Sequence, residues 1–185
     1  MTVDRIFSAH ALTIFDVEAL TTHGGSLRIY VKHLEDATKP VCSSVSDMKK
    51  FEEMEGYDKV YRYLEFGCKV KALKRSILSF IIDIKEKNKS IVCYGAAAKG
   101  NTLLNYCGIG TDFIDYVADK NPYKQGYYLP GSHIPIENPE KIKETKPDYI
   151  VILPWNIKDE IIEQLSFIKG WGGKFVTFVP RVFVT

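Results

Sequence analysis

Three small residues and one acid are spaced in this chain as they are in sites that hold phosphate-containing ligands. Gly95, Ala97 and Gly100 follow a G-x-A-x-x-G spacing after the apolar run Ile91–Tyr94, and Asp119 closes the next apolar run 24 residues after Gly95. In dinucleotide-binding folds such a turn brings the backbone to a phosphate at a helix N-terminus, and the acid binds a ribose hydroxyl. The spacing therefore predicts a nucleotide site, without indicating which nucleotide.

The residues within this turn suit an anionic ligand. Residues 96–98 are alanines, whose small side chains let backbone N–H groups approach an anion, while Lys99 adds positive charge and Asn101 can donate hydrogen bonds. The stretch is not a P-loop, because Lys99 precedes Gly100 instead of following it. Two interpretations stay open, a diphosphate site or a tight strand-to-helix turn that binds nothing.

A second group of candidates follows the next predicted strand. Asp119 or Asn121 would hydrogen-bond a ribose or sugar hydroxyl, and Lys124 would pair with a phosphate. The alternative is a turn set by Asn121 and Pro122, with Lys124 in solvent.

Two further candidates flank a glycine pair near the N-terminus. Arg28 suits a forked contact to a phosphate or carboxylate, and His23 is a candidate for proton transfer. The competing interpretation is a hairpin, in which Gly24 and Gly25 join two strands and Arg28 is a surface charge.

The last candidates lie nearer the C-terminus. His133 lies in a loop that Pro130 and Pro135 hold extended, where it either faces a ligand or only closes the loop. Trp155 and Asn156 follow a third predicted strand, at the edge where open α/β sheets bind ligands. Trp155 either stacks on a base or sugar or belongs to the core.

The apolar pattern divides the chain into three zones. Residues 1–45 alternate apolar and polar side chains in two runs, which predicts an antiparallel strand pair after a short helix. Residues 46–88 show helical spacing, with Ser46 and Asp58 as expected caps, and form a predicted helical linker. Residues 89–185 alternate short apolar strands with helices, which predicts a small Rossmann-like parallel sheet with helices on both faces.

The elements expected in these zones have the following bounds. The strands are predicted at Thr13–Ala19, Ser26–His33, Ile91–Tyr94, Phe113–Ala118, Tyr149–Leu153 and Lys174–Val179. The helices are predicted at Val3–Ala9, Asn101–Cys107, Pro139–Glu144 and Ile157–Lys169.

The composition argues against several classes of protein. A net charge of +2 is too small to favour nucleic acid or an anionic membrane as a partner, and no apolar run approaches the roughly 20 residues of a membrane span. The four cysteines are far apart and form no C-x-x-C, so neither a zinc site nor a disulfide framework is expected. We therefore expect a cytoplasmic protein with reduced cysteines and no bound metal.

Five stretches of the chain carry a resemblance to a known family. They are THGGSLRIYV (Thr22–Val31), YGAAAKGNTLLNY (Tyr94–Tyr106), DKNPYKQGYYLPGSHIPI (Asp119–Ile136), PDYIVILPWN (Pro147–Asn156) and GGKFVTFVP (Gly172–Pro180). In this order, from about Val3 to Pro180, the chain resembles the C-terminal region of the S-adenosylmethionine-dependent C-methyltransferases that act on nucleotide-linked deoxysugars.

The resemblance implies a substrate-binding role for residues 89–185. In the family this region is a second Rossmann-like domain that holds the nucleotide-diphosphate sugar, and residues 1–45 resemble a remnant of the middle region. The expected substrate-binding residues are Tyr94, Gly95, Ala97, Lys99, Gly100, Asn101, Asp119, Asn121, Lys124, His23, Arg28, His133, Trp155 and Asn156.

The resemblance also implies what the chain would lack. Complete enzymes of the family carry a cysteine-rich zinc segment, a domain that binds S-adenosylmethionine and a tyrosine- and histidine-rich stretch tied to proton abstraction. All three would precede Met1. We therefore expect an acceptor-binding portion that binds no S-adenosylmethionine and is inactive alone, with His23 as its one candidate for a catalytic role.

Two alternatives remain from the residues themselves. The G-x-A-x-x-G spacing with Asp119 also fits a nicotinamide-dinucleotide-binding domain. The strand pair within residues 1–45 needs a partner layer, which fits a non-catalytic module that docks on a separate methyltransferase subunit or associates with itself.

Overall fold

The computed structural model describes residues 2–185, which form two compact units. The first unit ends at Cys68, and the second is Lys69–Thr185. The division falls inside helix α3 (Val60–Glu86), whereas the sequence suggested a separate helical linker over residues 46–88. None of the described helices is long and apolar enough to cross a membrane.

The first unit contains an antiparallel strand pair, as predicted. The two strands pair along their whole length, with one irregularity in register between Ile14 and Asp16. The carboxylate of Asp16 accepts a hydrogen bond from the Ser44 hydroxyl at 2.6 Å, which ties the irregular part of the first strand to the next helix. The elements are α1 (Thr2–Ser8), β1 (Leu12–Leu20), β2 (Ser26–His33) and α2 (Ser43–Met54).

Both expected helix caps in this region are wrong. Helix α2 begins at Ser43, so Ser46 lies inside its first turn and donates its hydroxyl to the Ser43 carbonyl at 2.8 Å. Helix α3 begins at Val60, two residues after Asp58, whose carboxylate pairs with Lys59 Nζ at 2.7 Å. A side chain caps a helix only from the position directly before its first turn.

The second unit is built on a six-stranded sheet in the order β5-β4-β3-β6-β7-β8. The first five strands in this order are parallel, and β8 is antiparallel to β7. This is the Rossmann-like α/β arrangement that the sequence predicts. The strands are β3 (Ile91–Tyr94), β4 (Val117–Ala118), β5 (Ile136–Glu137), β6 (Tyr149–Ile152), β7 (Lys174–Thr177) and β8 (Phe183–Val184).

Helices α3 and α4 pack on one face of this sheet, and α5 and α6 on the other. Successive residues of β3 alternate between the two apolar clusters: Ile91 and Cys93 join α3 and α4, while Val92 and Tyr94 join α5 and α6. A strand buried on both faces is typical of a parallel sheet. The helices are α4 (Ala98–Cys107), α5 (Lys141–Thr145) and α6 (Lys158–Gln164), with a 3-10 helix at Ser166–Trp171.

Several boundaries differ from the prediction. The strand expected over Phe113–Ala118 is reduced to the two residues of β4, and the long helix expected from Ile157 is divided into α6 and a 3-10 helix. Helix α4 begins at Ala98, three residues before the expected start. Lys99 and Gly100 therefore belong to the first turn of α4 and not to the loop before it.

Asp148 joins the starts of β3 and β6 at the amino-terminal edge of the sheet. Its carboxylate accepts hydrogen bonds from Lys89 Nζ at 2.8 Å, from the Ser90 N–H at 2.9 Å and from the Ser90 hydroxyl at 3.0 Å. Partial burial alone would raise the pKa of this carboxyl, but the three donors outweigh it and hold the pKa below its ordinary value.

We expect the variant Asp148→Asn to lose about 1 kcal/mol of stability near neutral pH and less in acid. The loss is small because the ion pair of Asp148 with Lys89 is exposed to solvent. A carboxyl with a lowered pKa in the folded state stabilises the fold above its unfolded pKa of about 3.9, and this contribution is lost as the pH falls through the folded value. Urea denaturation at about pH 7 and about pH 3 measures the difference. An equal loss at both pH values would contradict the prediction.

Candidate functional site

The candidate site lies at the carboxyl edge of the second unit's sheet. The chain runs from β3 outward through β4 to β5, and then continues with β6 on the other side of β3. Such a reversal of strand order opens a crevice in which α/β proteins bind ligands. A cavity of about 270 Å³ lies there, lined by Tyr94, Gly95, Ala97, Asp119, Lys120, Lys124, Pro154, Ile157, Glu160, Ile161 and Gln164.

The turn after β3 requires the glycine that begins it. Gly95 has a φ of 85°, and its N–H donates to the Ala118 carbonyl at 2.7 Å. A Cβ atom at this position would lie 2.6 Å from Cδ of Pro154. The turn then ends in a hydrogen bond of 2.8 Å from the Ala97 N–H to the Gly95 carbonyl. Gly95 therefore lets the loops after β3 and β6 approach each other closely.

The carboxylate of Asp119 joins this turn to the loop after β4. It accepts the Ala96 N–H at 2.7 Å and the Asn121 N–H at 2.8 Å. Lys124 Nζ lies 3.4 Å from the same carboxylate and donates to the Ala96 carbonyl at 2.9 Å. The N–H groups of Gly95, Ala96 and Ala97 are thus all engaged within the protein, contrary to the expectation that they would be open to an anion.

The next backbone amides along the chain belong to the start of α4, directly after Ala97. Ala97 precedes the helix and provides no capping side chain, and the first amides of a helix have no carbonyl partner within it. The helix dipole adds a partial positive charge at this end. Because Ala97 lines the cavity, the beginning of α4 borders the cavity too.

Lys99 and Trp155, two of the expected site residues, lie together beside this helix start. The Lys99 ammonium is 5.4 Å from the centre of the Trp155 ring, within the range of a cation–π contact. Trp155 begins the 3-10 helix Trp155–Ile157, directly after the loop from β6. The contact therefore connects α4 to the loop after β6, on the side where the strand order reverses.

Gly100 and Asn101 have structural roles in α4. A Cβ atom on Gly100 would lie 2.5 Å from Cβ of Leu153, so this glycine permits close packing of α4 against the end of β6. The Asn101 side chain accepts a hydrogen bond from Asn105 Nδ2 at 3.1 Å. Neither residue lines the cavity.

Lys99 and Trp155 do not line the cavity either, and the same holds for three more of the expected residues. Asn121 accepts the Tyr123 N–H at 3.0 Å, which is the turn that the sequence offered as the alternative to ligand binding. His133 is exposed, with a φ of 55°, and its N–H donates to the Leu129 carbonyl at 3.0 Å. Asn156 is exposed in the 3-10 helix after β6.

His23 and Arg28 belong to the first unit and are not among the cavity-lining residues. His23 lies in a short 3-10 helix with a φ of 56°, in the connection between β1 and β2. Arg28 pairs across the two strands with the Glu18 carboxylate at 3.0 Å. This arrangement is the hairpin with a surface charge that the sequence also allowed.

Helix α6 contributes cavity residues that the sequence analysis missed. Glu160 and Gln164 lie four residues apart, on one face of the helix, and Gln164 Nε2 donates to the Tyr94 hydroxyl at 2.7 Å. Pro154, Ile157 and Lys120 also line the cavity. The available signal was a pair of polar residues at helical spacing within the helix predicted after the third strand.

Metal-ligating side chains do not assemble here. Within residues 2–185 no three histidine, cysteine, aspartate or glutamate side chains lie close enough together to hold an ion. All four cysteines are free, and burial raises the pKa of the Cys93 thiol well above its ordinary value.

Comparisons with known proteins identify the family. The family described as the C-methyltransferase C-terminal domain matches residues 21–180. The C-methyltransferase NovU of Streptomyces niveus is 33% identical over 176 residues, which are 95% of this chain and 42% of that relative. The chain thus spans less than half the length of this curated relative.

A solved structure, UDP-D-quinovosamine 4-dehydrogenase from Vibrio fischeri, is similar at 24% identity with a TM-score of 0.38 over 50% of this chain and 79% of that one. The match to the family covers most of the chain and extends over parts of both units. The chain therefore belongs to the C-methyltransferase C-terminal domain family.

Proposed function

We propose that the second unit binds the diphosphate of a nucleotide-linked sugar and so holds the acceptor of a C-methyl transfer. The observation that carries this proposal is the start of α4, which has no capping side chain and borders a cavity where the strand order reverses. A helix N-terminus in this position attracts phosphate through its amides and its dipole. Membership of the C-methyltransferase family supports the sugar-nucleotide class.

The charges around the cavity support an anionic ligand at its α4 end. Lys124 and Lys120 line the cavity, and Lys124 donates to the Ala96 carbonyl in the turn after β3. Lys124 also lies 3.4 Å from Asp119 and compensates the charge of that carboxylate. We expect a diphosphate at the start of α4 to meet the helix amides together with the Lys124 ammonium, whose charge Asp119 offsets in part.

We infer that the same residues suit a diphosphate better than the methyl donor. The start of a helix and two lysines disfavour the sulfonium and ammonium cations of S-adenosylmethionine and favour only its carboxylate. The acid that would bind its ribose, Asp119, already accepts two backbone N–H groups and lies beside Lys124. We propose that the donor is held by residues outside the second unit, and that this unit contributes by positioning the acceptor.

Calorimetric titration tests the proposal. We expect thymidine diphosphate to bind the chain and S-adenosylmethionine to produce no heat under the same conditions. The variant Lys124→Ala should bind thymidine diphosphate about tenfold more weakly, since it loses a charge-assisted contact. Lys143→Ala is the matched control, because Lys143 pairs with Glu140 and does not line the cavity.

Other outcomes would contradict the proposal. Binding of S-adenosylmethionine in competition with thymidine diphosphate would assign the turn after β3 to the donor. Equal weakening by Lys124→Ala and Lys143→Ala would indicate a general charge effect and not a site. Titration with NADH tests the alternative that the chain binds a nicotinamide dinucleotide. The spacing of Gly95, Ala97 and Gly100 favours this alternative. The Asp119 carboxylate disfavours it, because it already accepts the Ala96 N–H.

A further inference from the structure

The cavity at the carboxyl edge of the sheet has two ends of different chemistry. Its α4 end has the helix start and Lys124. Its α6 end is formed by the apolar side chains of Pro154, Ile157 and Ile161, together with the polar side chains Glu160 and Gln164. An anion is favoured at the first end, whereas the carboxylate of Glu160 disfavours it at the second. The α6 end therefore suits an uncharged group with a flat apolar surface and polar edges.

The Tyr94 hydroxyl supplies a hydrogen-bond donor to this cavity. Tyr94 is only 5% exposed, and its oxygen accepts the Gln164 amide at 2.7 Å. The O–H of Tyr94 is not used in this bond and remains to donate to another acceptor, as buried donors normally do. Burial raises the pKa of Tyr94, so the hydroxyl keeps its proton at neutral pH.

Gln164 determines the direction in which this hydroxyl donates. Because the amide N–H occupies one lone pair of the phenol oxygen, the O–H must point away from Gln164. Tyr94 and Gln164 both line the cavity, so an acceptor that enters it can satisfy the donor. Glu160, one helical turn before Gln164, offers a carboxylate acceptor on the same face of α6.

We propose that the nucleoside half of the ligand occupies the α6 end of the cavity, where the Tyr94 hydroxyl, oriented by Gln164, donates a hydrogen bond to one of its oxygens. This inference rests on the proposed function, which places the diphosphate at the start of α4. The base packs against Pro154 and Ile157, and Glu160 accepts a hydrogen bond from an N–H or O–H of the nucleoside. Gln164 is then a positioning residue, and Tyr94 contacts the substrate.

Two conservative variants test the inference with thymidine diphosphate and inorganic pyrophosphate as probes. Tyr94→Phe removes the donor, and Gln164→Glu replaces the amide with a carboxylate that would itself accept the phenol proton. We expect each to weaken thymidine diphosphate binding roughly three- to tenfold, the usual effect of one neutral hydrogen bond, and to leave pyrophosphate binding unchanged. Tyr116→Phe is the matched control, because the Tyr116 hydroxyl pairs with Thr145 and lies outside the cavity.

The outcomes separate this inference from the proposed function. If the unmodified chain binds neither probe, the diphosphate site itself is wrong. A second outcome is that the unmodified chain binds both probes, but Tyr94→Phe and Gln164→Glu bind thymidine diphosphate as tightly as the control Tyr116→Phe does. The nucleoside then lies elsewhere, and only this inference fails. Equal weakening of both probes by either variant would also overturn it, because the hydroxyl would then face the diphosphate. Thermal denaturation identifies a variant that fails to fold, and the other variant then decides.

Discussion

The variant Asp119→Ala is expected to lose about 3 kcal/mol of stability and most of its affinity for thymidine diphosphate. The Asp119 side chain is 12% exposed, and its removal leaves the N–H groups of Ala96 and Asn121 without their acceptor. Each unsatisfied buried donor costs about 1–3 kcal/mol. The turn after β3 would also lose its connection to the loop after β4, so the start of α4 would be presented less rigidly to a ligand. Urea denaturation and calorimetric titration measure the two effects.

A second aspartate provides the control for this prediction. Asp112 also accepts a backbone N–H, from Gly110 at 3.2 Å, but lies in an exposed turn and does not line the site cavity. We expect Asp112→Ala to cost less than about 1 kcal/mol, as is usual where water can replace the lost contact. Similar losses in the two variants would mean that the Asp119 carboxylate does not hold the two loops together.

The variant Gly100→Ala is expected to lose about 2 kcal/mol of stability, although alanine is the better helix former. The added Cβ would lie 2.5 Å from Cβ of Leu153, which is attached directly to the backbone and cannot swing aside. Overpacking of this kind costs about 1–3 kcal/mol and exceeds the gain of up to about 1 kcal/mol in helix propensity. Thermal or urea denaturation measures the net change.

Gly67 offers the same substitution in open space. It lies within α3, and a Cβ atom at this position would meet nothing within 4 Å. Gly67→Ala should therefore stabilise the chain by about 0.5–1 kcal/mol, because glycine loses more backbone entropy than alanine when a helix forms. Opposite signs for the two glycines would confirm that packing against Leu153 is the cause. A stabilising Gly100→Ala would refute the close contact between α4 and β6.

The sequence predicts the central strands well because their burial leaves a clear pattern. All four residues of β3 are buried, and the predicted bounds of that strand match the structure. The start of α4 is missed because Ala97, which precedes the helix, has no side chain that marks a cap. Strands β5 and β8 are missed because two residues are too few to show an alternation.

The sequence indicates where the candidate cavity lies but not how its residues are bonded. Gly95, Asp119 and Lys124 line one cavity because all three follow neighbouring parallel strands, and ligand binding by them stays a prediction. It does not reveal that the carboxylate of Asp119 binds the Ala96 N–H, because spacing alone says nothing about which partner a side chain selects. Gln164 is missed for a similar reason: its bond to Tyr94 spans 70 residues and depends on how α6 packs on the sheet.

The two short outer strands limit how other molecules can approach the sheet of the second unit. Its borders are β5 and β8, each of two residues, whereas β1 and β2 in the first unit have nine and eight. An outer strand of two residues has very few unpaired amides and carbonyls with which a strand of another molecule could pair. Short outer strands are a common protection against polymerisation. In concentrated solution we therefore expect little edge-to-edge growth through the larger sheet, whereas the ribbon of β1 and β2 offers the longer backbone edges for association.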